Sequence, residues 1–352
     1  MFSKCSEKVN VMESADARKS ALTEWLYSTC NLKGFKLTSL AGDASFRRYF
    51  RLHFDNHSFI AMDAPPPKEN CRPFVSIANA LSHIGLSTPS VAQHDVERGF
   101  LLLSDFGDAT YLSILRSDNA SELYTNALNA LAILSQCQYV PDHVIPPFTA
   151  DFMYKEWEWY KEWFLDKWLG MNLQNEAHAL DDCYKLIVQS AVQQPQVFMH
   201  RDFHSANLMH LSEEADVKRV GILDFQDAFI GPLTYDLASL LRDCYIAWPD
   251  DNVRSWALYY REILSQQNRL NIDEQTFLRW FDWMSVQRHL KALMTFARKQ
   301  VRDQQPNYLQ HIPRTLNYLL MVSERYVELK PLHDFLLLRV LPKVQQVMSC
   351  EQ

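Results

Sequence analysis

Three side chains carry the chemistry this sequence is able to do: Asp202, Asn207 and Asp224, all inside residues 197–227, VFMHRDFHSANLMHLSEEADVKRVGILDFQD. Asn207 follows Asp202 by five residues and Asp224 follows Asn207 by seventeen. Moving a phosphoryl group onto a hydroxyl needs a carboxylate to orient or deprotonate the acceptor, hard oxygen ligands for a metal that neutralises phosphate charge, and fixed geometry. Asp202 suits the first role. Asn207 and Asp224 offer a neutral carbonyl and a carboxylate, a pair matched to Mg²⁺. Taken singly, each reads equally well as a turn or helix cap. A rival reading joins His200, Asp202 and His204 into a transition-metal site, since alternate residues on a strand share a face. That reading leaves Asn207 and Asp224 without a role.

The groups around this centre follow from position. Gln226 and Asp227 stand two and three residues after Asp224 and are expected to project with it towards an acceptor. Arg242, Arg288, His289 and Lys291 are cations suited either to an acceptor carboxylate or to structural ion pairs. Asp236, just beyond Gly231-Pro232, reads as a carboxylate at a helix start, satisfying backbone N–H groups. Earlier in the chain, Gly42 and Ser45 lie in a turn whose N–H groups suit phosphate. Arg47, Arg48 and Arg51 follow; on an alternating strand Arg47 and Arg51 share a face and Arg48 takes the other. Their alternatives are phosphate binding and ordinary solvated strand arginines. Glu69 is placed to orient such a cation.

These groups need elements to hold them. Residues 14–30 have helical spacing, and 35–40, 46–54 and 58–62 read as three strands joined by tight turns. A helix over 71–84 ends at Gly85, and strands are expected over 91–94 and 100–103. Beyond Ser104 the pattern turns helical: 111–139, 152–169, 176–194, 234–247, 252–265, 273–304, 313–328 and 333–348, with the loop and β-ribbon of 197–227 between, its second strand over 217–223. In the segment 152–169 the residues Met153, Trp157, Tyr160 and Phe164 recur at helical spacing, which predicts a core stripe rather than a sugar platform. The architecture expected is α+β, with an antiparallel nucleotide-binding lobe over 1–104 and a helical catalytic and acceptor-binding lobe over 105–352. Asp105-Phe106-Gly107 precedes the Asp202 loop and so cannot supply the metal aspartate. Ser104 and Phe106 instead mark a hinge whose backbone suits adenine, or a plain turn with Gly107 at positive φ.

Composition narrows the class. Apolar residues make up 47% and charged residues 22% of 352, as in an ordinary globular protein. A net charge of −7 without a Lys/Arg-rich run argues against nucleic acid. Apolar runs such as Phe100–Leu103 are far too short to span a bilayer, and the first residues hold no apolar signal core, so a cytoplasmic location is expected. Seven scattered cysteines, an odd number without a CxxC pair, read as reduced thiols. No feature points to a protein partner.

HRDFHSANL followed by GILDFQDAFIGPLTYDLASLLRD closely resembles the aminoglycoside phosphotransferase/choline kinase superfamily of protein-kinase-like folds. GDASFRRYFR at 42–51, MDAPP at 62–66 and QRHLK at 287–291 resemble its branch of anomeric N-acetylmuramate/N-acetylglucosamine kinases. The resemblance spans about residues 20–340. It implies ATP and Mg²⁺ as cofactors, an amino-sugar acceptor, and transfer to the anomeric hydroxyl to give a sugar 1-phosphate for cell-wall recycling. The two departures are plain. Only Gly42 is available for a glycine-rich loop, and Met62 stands where a lysine is usual on the third strand. These absences motivate a nucleotide-binding pseudokinase as one alternative; an aminoglycoside- or macrolide-type antibiotic kinase is the other.

Overall fold

The computed structural model describes residues 17–40, 46–54, 57–173, 176–212, 214 and 216–350. The chain divides into two compact units, residues 1–108 with 140–143, and residues 109–139 with 144–352.

The first unit is built on one antiparallel sheet. Helix α1 (17–28) precedes β1 (Lys36–Ser39), β2 (Arg48–Phe54) and β3 (His57–Asp63); α2 (Arg72–His83), β4 (Val91–Asp95) and β5 (Phe100–Ser104) follow, with strand order β1-β2-β3-β5-β4. Phe50 and Leu52 of β2, Ala61 of β3 and Phe100 and Leu102 of β5 pack with Leu22, Trp25 and Leu26 of α1. Alternate residues share a sheet face, so this set is the period-2 pattern closing on a helical stripe. Leu101 and Leu103 are buried as well, which explains the unbroken apolar run of β5. Met62 is fully buried between Tyr49 and Leu101 on the neighbouring strands, a core residue in the lysine's place. Helix α2 starts where Asn70 accepts from the Arg72 N–H at 3.0 Å and stops before Gly85, whose φ of +91° is the left-handed conformation that ends helices.

Gly99 closes the β4–β5 turn at φ +76°, and a Cβ there would stand 1.9 Å from the Ala64 carbonyl oxygen. Gly99→Ala is therefore expected to destabilise this unit by about 1–3 kcal/mol, from backbone strain and overpacking together. Urea unfolding followed by far-UV dichroism reads the shift; an unchanged midpoint refutes it.

The second unit is mainly helical: α3 (Tyr111–Ile114), α4 (Ala120–Leu134), α5 (Ala150–Trp159) running on as a π-helical segment (Tyr160–Trp168), and α6 (Ala177–Gln193). Then β6 (Gln196–Met199), β7 (Leu208–His210), β8 (Val220–Ile222) and β9 (Phe229–Pro232) form two ribbons, β6 with β9 and β7 with β8. Helices α7 (Tyr235–Leu241), α8 (Asp250–Gln266), α9 (Glu274–Asp303), α10 (Ile312–Glu324), α11 (Lys330–Phe335) and α12 (Leu341–Cys350) complete it, with a second π segment (Leu336–Val340) joining α11 to α12. The 30-residue α9 is the spine of the core. Met153, Trp157, Tyr160 and Phe164 are all buried against it, as a core stripe.

Several expected elements are shorter than their periodicity. The helix over 111–139 breaks at 115–119, because Asn119 accepts from the Arg116 N–H at 2.7 Å and donates to the Ile114 carbonyl at 2.9 Å. That side chain replaces the helical backbone bonds. The helix over 234–247 ends at Leu241, since Asp243 accepts from Tyr245 N at 2.8 Å and from Ser205 N at 2.9 Å, drawing the chain out of the helix. The strand over 217–223 begins as a 3₁₀ turn (Asp216–Arg219), leaving β8 three residues long.

Candidate active site

The ribbons deliver the reactive residues. β6, with Phe198 and Met199 buried, feeds His200–Asn207; β7 and β8 pair Leu208 with Ile222, so Asn207 and Leu223 face each other at the ribbon mouth. Leu223 N–H donates to the Asn207 carbonyl at 3.0 Å, and Asp224 is the next residue. The two oxygen donors proposed for metal thus stand on adjacent strand ends. Asn207 Nδ2 donates to the Asp202 carbonyl at 3.0 Å, which turns its Oδ1 outward as an acceptor. Asp224 Oδ1 accepts from Gln226 Nε2 at 2.7 Å. Hard, partly uncommitted oxygens of this kind fit Mg²⁺.

The loop is held in a costly backbone shape. Arg201 has φ +78° and Asp224 φ +61°, left-handed conformations costing non-glycine residues about 1–3 kcal/mol each. Asp236, buried in the first turn of α7, accepts from the N–H groups of both His200 (2.6 Å) and Arg201 (2.9 Å). The backbone N–H groups it satisfies are those of the loop. Burial pushes its carboxyl up to about 6, against the pull of His200 and those two N–H groups. His200 Nε2 donates to the Leu223 carbonyl at 2.9 Å and Nδ1 accepts from Asp202 N–H at 3.3 Å. Both ring nitrogens are thereby used on backbone. This removes the transition-metal reading, and no cluster of three or more His, Cys, Asp or Glu poised for metal exists among the described residues.

Asp202 is about one-third exposed, and Lys291 from α9 stands 3.3 Å from its Oδ1. Burial alone would raise the Asp202 carboxyl. The charges around it, Lys291 foremost and then His204, Arg288 and Arg201, more than offset burial and hold it well below the usual carboxylate range. Asp202 is ionised throughout the neutral range. Gln226 is nearly buried and donates to Asp227 as well as to Asp224, at 3.2 and 2.7 Å; its own Oε1 has no partner. Arg201 lies over the Phe229 ring at 4.8 Å. Arg288 is 5% exposed, touches Cys244 Sγ at 3.8 Å and leaves its Nε without a partner.

Arg242 departs from its expected acceptor role. It is fully buried, bonds Asp282 at 2.5 Å and Ser285 at 2.6 Å, and lies 4.4 Å over the Phe281 ring. It is a core ion pair. His289 is equally internal, stacked on Tyr318 and bonded to the Arg242 carbonyl; burial drops its pKa to about 3, so it is neutral and carries no charge for an acceptor.

In the first unit, Arg47 precedes β2 instead of lying on it and pairs with Glu69 at 3.0 Å. Glu69 also accepts from the Phe46 N–H at 3.1 Å, so it does orient that cation. Arg48 and Arg51, read either as phosphate ligands or as ordinary strand arginines, pair with carboxylates of this unit. Arg48 Nε and Arg18 Nε share the fully buried Asp63 at 3.0 and 2.9 Å. Arg51 reaches Asp105 at 2.6 Å, Asp108 at 2.8 Å and the Gly107 carbonyl at 3.0 Å. Asp105 accepts from Gly107 N–H at 2.9 Å, with Gly107 at φ +77°, so 105–107 is a side-chain-closed turn. Ser104 Oγ accepts from Ser90 N–H at 2.9 Å, and Phe106 is half-buried. Gly42 and Ser45 lie outside the described residues.

Two residues at the centre escaped sequence reasoning, and a third, already a candidate, took another partner. Asp243 anchors Ser205 through its N–H. Lys291 proves to be the partner of Asp202 rather than a bare acceptor cation. Glu156 is 3% exposed and accepts from Gln287 Nε2 at 2.7 Å. Only Glu156 left a signal: it sits three residues after Met153 and four before Tyr160, on the buried stripe.

A five-stranded antiparallel unit, a helical unit, and an Asp–Asn–Asp centre on ribbon ends define a phosphotransferase of the protein-kinase-like fold class. The chain belongs to the phosphotransferase enzyme family, whose sequence profile it matches over residues 36–281. It is 40% identical over 336 residues to a Pseudomonas aeruginosa protein named N-acetylmuramate/N-acetylglucosamine kinase, covering 92% of this chain and 97% of that one. Proteins of the same name from Pseudomonas putida and Neisseria meningitidis are 38% and 37% identical, over 92% and 91% of this chain and 97% and 95% of theirs. Among solved structures, choline kinase LicA from Streptococcus pneumoniae superposes with TM-score 0.61 at 12% identity, over 86% of this chain and 99% of that one. The GDP complex of aminoglycoside 2'-phosphotransferase-IIIa gives 0.55 at 15%, over 88% and 99%. At those identities the likeness is one of fold. No helix among the described residues is long and apolar enough to cross a membrane.

Proposed function

We propose that this protein transfers the γ-phosphoryl group of ATP to the anomeric hydroxyl of N-acetylmuramate and N-acetylglucosamine, giving sugar 1-phosphates in cell-wall recycling in the cytoplasm. The observation that carries the acceptor is similarity at 37–40% identity, over nearly the whole chain, to proteins named for those two sugars. In this reading the antiparallel unit binds the nucleotide, with Arg47, held by Glu69, as its phosphate cation, and the helical unit carries catalysis.

Asn207 and Asp224 would hold Mg²⁺, which neutralises phosphate charge as the transferred group loosens. Asp202 accepts the hydrogen bond of the acceptor hydroxyl. So acidic a carboxylate is a weak base, so it orients the oxygen first. It takes the proton only as the new O–P bond forms and the bond to the β–γ bridging oxygen breaks. Lys291 occupies Oδ1 and leaves Oδ2 for that hydroxyl. The cations acting on Asp202 are Lys291, Arg288 and Arg201. They favour an acceptor with a carboxylate, such as N-acetylmuramate, over a polycationic antibiotic.

Incubation with ATP and either sugar is expected to yield an acid-labile sugar 1-phosphate by ³¹P NMR. A 6-phosphate, or phosphorylation of an aminoglycoside only, refutes the acceptor assignment; absence of any ATP turnover favours a pseudokinase. Chelation by EDTA is expected to reduce turnover at least about 10²-fold, with recovery on adding Mg²⁺. Turnover that persists in EDTA removes the metal role of Asn207 and Asp224.

A further inference from the structure

We propose that Arg288, a buried arginine on α9, selects a carboxylate-bearing acceptor: its guanidinium is the counter-ion for the acid arm of N-acetylmuramate and sets a preference for that sugar over N-acetylglucosamine. This rests on the amino-sugar kinase reading, and adds to it which of the two sugars is preferred and which side chain prefers it.

Two arginines are buried among the described residues, Arg242 and Arg288. Arg242 has Asp282 as its counter-ion. Arg288 is 5% exposed and forms no ion pair among the described residues; its Nη1 donates to the Cys244 Sγ at 3.8 Å, and its Nε has no partner. A thiol is a weak acceptor. Burial also pushes the Cys244 thiol up, so it stays neutral and is no counter-ion. Buried charges in proteins are paired, because desolvating a lone one is costly. With Nη1 turned to the thiol, the Nε side of the guanidinium is the side left to take a carboxylate from outside the chain.

The contacts around Arg288 set it beside the group that handles the hydroxyl. Lys291 stands 3.3 Å from Asp202 Oδ1, and it lies one turn beyond Arg288 on the same face of α9, where Cβ atoms are about 5–6 Å apart. On the other side Cys244 leads to Tyr245, whose ring meets the His204 ring edge-on at 5.2 Å. The His204 N–H donates to the Asp202 carbonyl at 3.1 Å. Asp202, Lys291, Arg288, Cys244, Tyr245 and His204 therefore follow one another in a closed ring of contacts. His204 is buried too, and its Nδ1 is without a partner, so two ring members hold polar groups not used by the fold. Arg314 of α10 brings a second guanidinium, donating to the Cys244 carbonyl at 2.8 Å. The opposing charge beside them, Asp243, accepts from the Ser205 and Tyr245 N–H groups at 2.9 and 2.8 Å.

Other cations at this centre are engaged. Lys291 is on Asp202, while Arg201 lies over the Phe229 ring and donates to the Asp227 carbonyl. The acid arm of N-acetylmuramate hangs from C3, so its carboxylate and its C1 hydroxyl need anchors a sugar ring's width apart. Arg288 and Asp202, separated by one turn of α9 and the Lys291 side chain, are such a pair. N-acetylglucosamine carries a plain hydroxyl at C3 and leaves the guanidinium unpaired.

The test compares kcat/KM for N-acetylmuramate, its uncharged amide at the lactyl carboxyl, and N-acetylglucosamine. Wild type is expected to use the acid at least about 30-fold better than the amide, mostly through KM, the cost of leaving one side of a buried charge pair empty. Arg288→Met is expected to bring acid and amide within about 3-fold of each other, and to lower the preference over N-acetylglucosamine by a similar factor. Any effect of the substitution on Asp202 is common to the three acceptors and cancels in these ratios. Arg288→Lys, which keeps the charge without the fork, should retain a preference for the acid of about 3–10-fold. Wild type that uses acid and amide equally overturns the proposal without any variant. So does Arg288→Met with the full preference for the acid, including the case of an equal loss on all three acceptors. Should Arg288→Met fail to fold by circular dichroism, Arg288→Lys decides: a reduced preference supports the proposal and an undiminished one overturns it. Wild-type product by ³¹P NMR keeps the two readings apart. Turnover of N-acetylglucosamine with no discrimination between acid and amide overturns the role of Arg288 and leaves the sugar kinase standing; turnover of neither sugar overturns both.

Discussion

Asp202→Ala is expected to lower kcat by about 10³–10⁴-fold while ATP and acceptor KM change by less than about 5-fold. The loss combines two effects. The hydroxyl forfeits the carboxylate that orients its oxygen, and the proton released as the O–P bond forms forfeits its acceptor. Nothing nearby replaces it. Gln226 is tied to Asp224 and Asp227, and Asp236 is spent on the His200 and Arg201 N–H groups. The variant should fold, because Asp202 is partly exposed and its one direct side-chain bond is the 3.3 Å contact with Lys291. Asp202→Asn should be nearly as inactive, since an amide keeps the shape but neither takes a proton nor pairs with the ammonium. Steady-state ADP release measures both variants. Turnover within about 10-fold of wild type removes Asp202 as the group that handles the hydroxyl.

Asp282→Ala is the largest stability effect expected, about 3–5 kcal/mol. Asp282 and Arg242 are both fully buried and bonded to each other, and the second carboxylate oxygen accepts from the Tyr326 hydroxyl at 2.7 Å. Removing the carboxylate leaves a guanidinium in the core with Ser285, the face of Phe281 and the more distant Asp250, 3.8 Å away. An unpaired buried charge costs far more than the pair is worth, so a double variant, Arg242→Met with Asp282→Leu, should recover most of the loss. Urea unfolding followed by tryptophan fluorescence tests this. Asp282→Ala within about 1 kcal/mol of wild type refutes it. So does a double variant no more stable than the single.

Much of the site was legible in the chain because its parts are local. Asp202, Asn207 and Asp224 lie within 23 residues, and a loop followed by a short ribbon leaves few ways to arrange them. The strands 36–63 and the helix 72–83 were equally plain, since alternation, spacing and a terminal glycine are properties of neighbouring residues. The breaks at Asn119 and Arg242 were not. There a side chain captures backbone groups that the apolar period alone assigns to a helix.

Sequence alone determined the reaction class of this protein: two carboxylates and an amide at fixed spacing, on elements whose period and punctuation are local. Tertiary structure decided which charges work and which merely hold the fold together. Arg242, Arg288 and Lys291 are the same kind of candidate as long as only their order is known. One is neutralised by Asp282 in the core, one lies buried with an unpartnered Nε, and one meets Asp202 from a helix 89 residues further along the chain. Arg48 and Arg51 went likewise to Asp63 and Asp105. The reason is physical. A charge acts through what stands within a few ångströms of it, and for long-range partners that distance is set by packing between elements remote in sequence.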